Sequence, residues 1–182
     1  TGRWHYMLTA DSMTGVQKVH DGNTPRVGGL GIYLALWAGV VLVDDGHEHL
    51  LKLLLLAALP ALLFGLLEDI TKRVGIKARL LATMASGVLA SWLTGYALFK
   101  LDIPIVDLLL AYTPVAVVFT AFAVGGVANA INLIDGFNGL ASGTLMTCLA
   151  GLGILAGIQG DWDLVRISIL IGLATLGFFL MN

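Results

Sequence analysis

Asn129, Asn132 and Asp135 recur every third residue in the stretch "NAINLIDGFNGLASG", residues 129–143. Neighbours three apart on a helix share a face, so two amides and a carboxylate would point the same way. Asn138 follows, between Gly136 and Gly139. Asn and Asp also cap helices, and Gly stops them. Capping accounts for one or two of these residues, but not for a polar face two turns long at the end of an apolar run. Carboxylate and amide oxygens suit a hard cation, Mg²⁺ or Mn²⁺, rather than zinc. Cys148 is the single cysteine and lies inside an apolar run, which excludes a disulfide framework and a cysteine metal cluster.

Two further segments carry polar groups. In "GLLEDITKRVGIKARLL", residues 65–81, Glu68 and Asp69 end an apolar run. Acidic residues at a helix C-terminus oppose its dipole, and adjacent carboxylates repel unless a cation sits nearby. Lys72 or Arg73 could be that cation in a solvated charged loop. The functional reading is a divalent-metal or phosphate site with Lys77 and Arg79 as anion clamps. In "QKVHDGNTPRVGGLG", residues 17–31, Thr24-Pro25 makes a turn with an extended entry. Gly28, Gly29 and Gly31 then open a helix, where small residues also suit close packing in a membrane. His20, taken alone, reads as a solvated loop histidine. Oxygen ligands beside basic residues point to metal-assisted phosphate chemistry.

The elements that must position these groups are greasy. The chain is 58% hydrophobic, and only 12% of its 182 residues are charged, against about a quarter in soluble domains. Its mean hydropathy is +0.91. Six apolar runs are read as helices, near residues 27–43, 50–67, 80–99, 108–127, 139–160 and 167–182. A span needs roughly 17–25 mostly apolar residues, and Lys52 would snorkel from the second run. The expected fold is all-α: a polytopic membrane helical bundle forming one integral membrane domain, residues 1–182, without internal repeats. Residues 1–26 are polar and lack a signal-peptide core. The chain opens at Thr1 and stops inside an apolar run, so it is read as part of a larger protein. A net charge of −2 gives no case for nucleic acid, and none is expected as a partner.

Positive residues choose the side of the membrane. The segments 1–26, 68–79 and 129–143 are each separated by two crossings and share one face. That face holds Arg3, Lys18, Arg26, Lys72, Arg73, Lys77 and Arg79, seven basic residues against Lys52, Lys100 and Arg166 opposite. The first set is therefore expected in the cytoplasm, with all three polar segments at one membrane surface.

In order, "TPRVGG" (24–29), "LEDITK" (67–72) and "NAINLIDGFNGLASG" resemble the polyprenyl-phosphate N-acetylhexosamine-1-phosphate transferases. These include phospho-N-acetylmuramoyl-pentapeptide transferase and the enzymes that start O-antigen and teichoic acid synthesis. The resemblance covers nearly the whole chain. It implies Mg²⁺-dependent transfer of a sugar 1-phosphate from a UDP-sugar to undecaprenyl phosphate, releasing UMP, in building the bacterial cell envelope. It places the protein in the bacterial inner membrane with its active face cytoplasmic. Glu68 and Asp69 occupy the paired-aspartate position, and Asp69 is the carboxylate expected to help the lipid phosphate attack. Asn132 resembles a metal ligand supported by Asp135. Asn138 matches a position near the uracil, while Lys77 and Arg79 resemble pyrophosphate contacts. Lys72 and Asn129 join the substrate-binding set, and His20 and Arg26 are assigned to the lipid phosphate. The partners are the two substrates and the bilayer, and a homodimer is left open.

The chain departs from the family pattern at two positions. Glu68 replaces the commoner first Asp, and Asn138 replaces the commoner second Asp of the glycine motif. Both keep oxygen donors, but the carboxylate count falls by one, at Asn138. The family has about ten helices and a downstream histidine-rich loop, so this stretch alone is expected to turn over little or nothing. A transporter or flippase is the competing reading, since polar breaks in helices also bind ions in transporters. Those lie at the midplane, whereas here the one acidic residue inside an apolar run is Asp107, near its start. A non-catalytic scaffold would suit the glycines but not three aligned polar segments.

Overall fold

The computed structural model describes residues 28–42, 49–134 and 139–181. These residues form α1 (Gly28–Leu42), α2 (His49–Ala57), α3 (Leu59–Thr71), α4 (Ile76–Thr94), α5 (Pro104–Leu110), α6 (Thr113–Ile134), α7 (Leu140–Gln159) and α8 (Trp162–Met181). Among the described residues there is no strand, and the protein is an all-α membrane helical bundle. Its large exposed side chains are overwhelmingly apolar, as on Val118, Phe122, Ile154, Ile158 and Leu180. A lipid-facing surface requires that.

By length and composition α6, α7 and α8 can each cross a membrane, and α2 with α3 makes a fourth if the bent pair is one span. The other two expected spans fall short of that test for different reasons. Helix α1 has only 15 residues. Helix α4 has 19 but carries Lys77 and Arg79 in its first turn. The run 108–127 is also displaced: α5 ends at Leu110 and α6 runs from Thr113 to Ile134. Pro114 explains the restart, because a proline fits a helix only in its first turn. The shift carries Asn129 and Asn132 into the last turns of α6.

The expected span 50–67 is broken. Helices α2 and α3 meet at 44°, with Pro60 near the start of α3. Proline lacks an N–H and its ring clashes with the carbonyl four residues earlier. The bend frees the Ala61 N–H, which donates to Ser86 Oγ on α4 at 3.1 Å. An orphan donor in an apolar setting is thereby satisfied by the neighbouring helix.

The described helices fall into two compact units. One comprises Lys52–Ala130. There α4 crosses α6 through small residues: a Cβ on Gly87 would lie 2.8 Å from Ala121 Cα, and one on Gly125 would lie 2.7 Å from Met84 Cγ. Small residues four apart, as at Ala121 and Gly125, let membrane helices approach closely. After α4, the Leu98 N–H donates to Thr120 Oγ1 at 2.8 Å and the Leu101 N–H to Asp107 Oδ1 at 2.7 Å. Asp107, the one acid entering an apolar run, thus satisfies a loop N–H.

The other unit holds α1, the start of α2, the end of α6, and α7 with α8. Helices α7 and α8 form an antiparallel pair, where Gly153 faces Ser168 and Gly157 faces Val165. Gly160 ends α7 in the left-handed conformation, φ 77°. Asp161 then caps α8, its Oδ1 accepting the Leu164 N–H at 3.0 Å. Helix α1 lies on α8, with Gly28 against the Phe178 ring and Gly39 facing Leu170.

Candidate functional site

The turn between α3 and α4 is built from helix ends. Lys72 closes α3 in the left-handed conformation, φ 53°, and its N–H donates to Glu68 O at 2.7 Å. Thr71 Oγ1 donates to Leu67 O at 2.6 Å and accepts the Arg73 N–H at 3.3 Å. Gly75, extended, precedes α4, and its carbonyl accepts the N–H groups of Ala78 and Arg79 at 3.0 and 3.2 Å. The four residues Lys72 to Gly75 therefore reverse the chain between two helices.

That reversal brings Glu68 to Arg79. Arg79 Nη1 donates to Glu68 Oε1 at 3.1 Å and Oε2 at 3.2 Å. The two side chains are only 23% and 29% exposed, so salt screens the pair less than a surface one. The cation beside Glu68 is thus Arg79, eleven residues on, rather than Lys72 or Arg73. Asp69 is half-buried in the last turn of α3, whereas Lys72 and Lys77 are exposed.

Asn129 and Asn132 lie in the last two turns of α6, Asn129 half-buried and Asn132 exposed. The structure therefore puts both amides on one helix at the spacing expected. Gly139 opens α7 with φ 77°. Its missing Cβ leaves room for the Phe179 ring, which a Cβ would approach to 2.5 Å. Two constraints thus require glycine here. Ser142 Oγ donates to Gly139 O at 3.2 Å, and Gly143 N–H to the same carbonyl at 2.8 Å.

Four candidates, His20, Arg26, Asp135 and Asn138, lie outside the described residues. Among the described residues no three His, Cys, Asp or Glu side chains gather as a metal site. The described candidates with oxygen-bearing side chains are Glu68 and Asp69 on α3 and Asn129 and Asn132 on α6. Spacing alone did not single out the Glu68–Arg79 pair. Its signal was an acid in a last helical turn and an arginine in a first turn, with Gly75 between them.

The model of glycosyl transferase family 4 matches residues 51–182. The chain belongs to that family. Among the curated relatives is a probable undecaprenyl-phosphate N-acetylglucosaminyl 1-phosphate transferase of Bacillus subtilis. It is 28% identical over 166 residues, which cover 91% of this chain and 46% of the relative. A phospho-N-acetylmuramoyl-pentapeptide-transferase of the same species is 30% identical over 171 residues, 87% of this chain and 53% of the relative. Another of that name, from Chlorobaculum parvum, is 31% identical over 196 residues, 88% and 51%. The chain thus spans about half the length of the curated relatives it matches. No solved structure matches it. The family match contains the charged turn after α3 and the asparagine-bearing end of α6, the two described segments singled out for chemistry.

Proposed function

We propose that the protein transfers a sugar 1-phosphate from a UDP-sugar to undecaprenyl phosphate at the cytoplasmic face of a bacterial inner membrane. A terminal oxygen of the lipid phosphate attacks the phosphorus that bears the sugar. The bond between that phosphorus and the bridging oxygen breaks, and UMP leaves with the bridging oxygen. The product is a lipid-diphosphate sugar. The donor is an N-acetylhexosamine nucleotide. The observation that carries this reading is the family match over residues 51–182, which contains both polar segments. Relatives named for transfer onto undecaprenyl phosphate and for phospho-N-acetylmuramoyl-pentapeptide transfer support it.

The residues divide the work by chemistry. Lys77, exposed in the first turn of α4, and Arg79, in the same turn, suit the diphosphate of the donor. Asp69 positions the lipid phosphate or accepts its proton. Asn138 pairs with the uracil edge, where an amide can donate and accept. His20 and Arg26 serve the lipid phosphate. The exposed Asn132 amide with the Asp135 carboxylate offers hard oxygen donors that fit Mg²⁺. Bound there, the ion would offset the charge that builds as two phosphates meet.

The test uses the full-length protein in membranes. UMP should be released from UDP-N-acetylglucosamine only when undecaprenyl phosphate and Mg²⁺ are both present. Release from UDP-N-acetylmuramoyl-pentapeptide instead would move the protein to the peptidoglycan branch. Absence of release with every donor tried would overturn the transferase reading and favour a transporter.

A further inference from the structure

We infer that Glu68 acts through Arg79: its carboxylate orients the guanidinium toward the donor's diphosphate, and it is not itself a metal ligand or a base. The inference rests on the transferase reading and assigns one residue within it. Glu68 stands in the last turn of α3, where the helix dipole disfavours an anion, and Arg79 in the first turn of α4, where it disfavours a cation. Each is poorly placed for its own helix, and each relieves the other across the turn. Both carboxylate oxygens are engaged by one nitrogen, Arg79 Nη1. Among the described residues Nη2 and Nε of Arg79 make no hydrogen bond, and the Glu68 carboxylate has no second partner.

That asymmetry decides the roles. A guanidinium carries five N–H donors in a fixed fork. Holding it by one nitrogen anchors that end of the guanidinium and leaves the other donors for phosphate oxygens, which arginine binds bidentately. A metal at Glu68 would have to share its carboxylate with Arg79, whose positive charge opposes a second cation on the same oxygens. Asp69, the next residue, projects about 100° away around α3. Glu68 is thus a positioning residue, and glutamate at this point supplies the reach to the next helix.

The experiment is a double-mutant cycle on the full-length protein in membranes, read by UMP release. Glu68→Gln and Arg79→Gln should each raise KM for the UDP-sugar by about tenfold, within the range for coupled pairs. Both should leave kcat within roughly threefold, the pattern of lost ground-state binding. The Mg²⁺ concentration for half-maximal rate should not move. The double variant should be no worse than Arg79→Gln alone. If Glu68→Gln fails to accumulate, Glu68→Asp takes its place and should raise KM with kcat and Mg²⁺ requirement unchanged. The inference is overturned if the Glu68 change lowers kcat, or raises the Mg²⁺ requirement, in the Arg79→Gln background. If the unmodified protein releases no UMP from any donor, the transferase reading fails by itself. The cycle is then run on inorganic pyrophosphate binding to the purified protein. Additive losses there would overturn the positioning role separately.

Discussion

The charged turn after α3 and the amide-bearing end of α6 solve different problems with polar groups beside a membrane. Charges demand a counterion, so Glu68 takes Arg79 across the turn and both are largely covered. Amides demand none, and Asn132 stays exposed at the helix end. The first region is ordered by its own electrostatics before any ligand arrives. The second is shaped by backbone: a helix ending at Ile134 and a left-handed Gly139 against Phe179. The half-buried charge of Glu68 therefore requires an internal partner, whereas the exposed Asn132 amide requires none.

Four substitutions sharpen that contrast. The largest effect is expected in the motif at 129–143: Asp135→Ala should cut UMP release by about 10²–10³-fold, in the range for losing one electrostatic stabiliser of the transition state, with membrane expression kept. Unchanged turnover would remove Asp135 from the site and leave the charged turn as the chemical centre. Next comes Gly139→Leu, which must adopt φ 77° and displace the Phe179 ring. A cost of about 2–4 kcal/mol follows from the left-handed penalty and overpacking together, read as a lowered melting temperature in detergent. Ser86→Ala leaves the Ala61 N–H unsatisfied at the bend and should cost about 1–3 kcal/mol. A neutral result would mean that water or lipid headgroups reach that bend. The smallest effect is Arg73→Ala. This exposed residue should change stability by less than about 0.5 kcal/mol and UMP release hardly at all. A large loss would show that the charged turn has a partner besides Arg79.

The class of fold was open to reading because apolar runs of bilayer length have few alternatives. So was the helix carrying Asn129 and Asn132, whose spacing by three survives in α6. The bend between α2 and α3 was signalled by Pro60, but the uninterrupted apolar run hid it, since hydropathy does not register a lost hydrogen bond. The satisfaction of Ala61 by Ser86 depends on a contact 25 residues away, which no local pattern encodes. Pro114 marked the start of α6 in the same quiet way. The Glu68–Arg79 pair needed the length of the turn as well as the charges, because only a reversal after Arg73 brings residue 79 back to residue 68. His20, Arg26, Asp135 and Asn138 rest on the motifs alone.

The central proposal is that the charged turn after α3 and the motif at 129–143 serve one reaction from the cytoplasmic side of the membrane. Single cysteines at Asp69 and Asp135, introduced into the full-length protein with Cys148 replaced by Ser, can be labelled in sealed inverted and right-side-out vesicles with a membrane-impermeant maleimide. The account predicts that both positions label from the cytoplasmic side alone. Labelling of the two from opposite sides would contradict it.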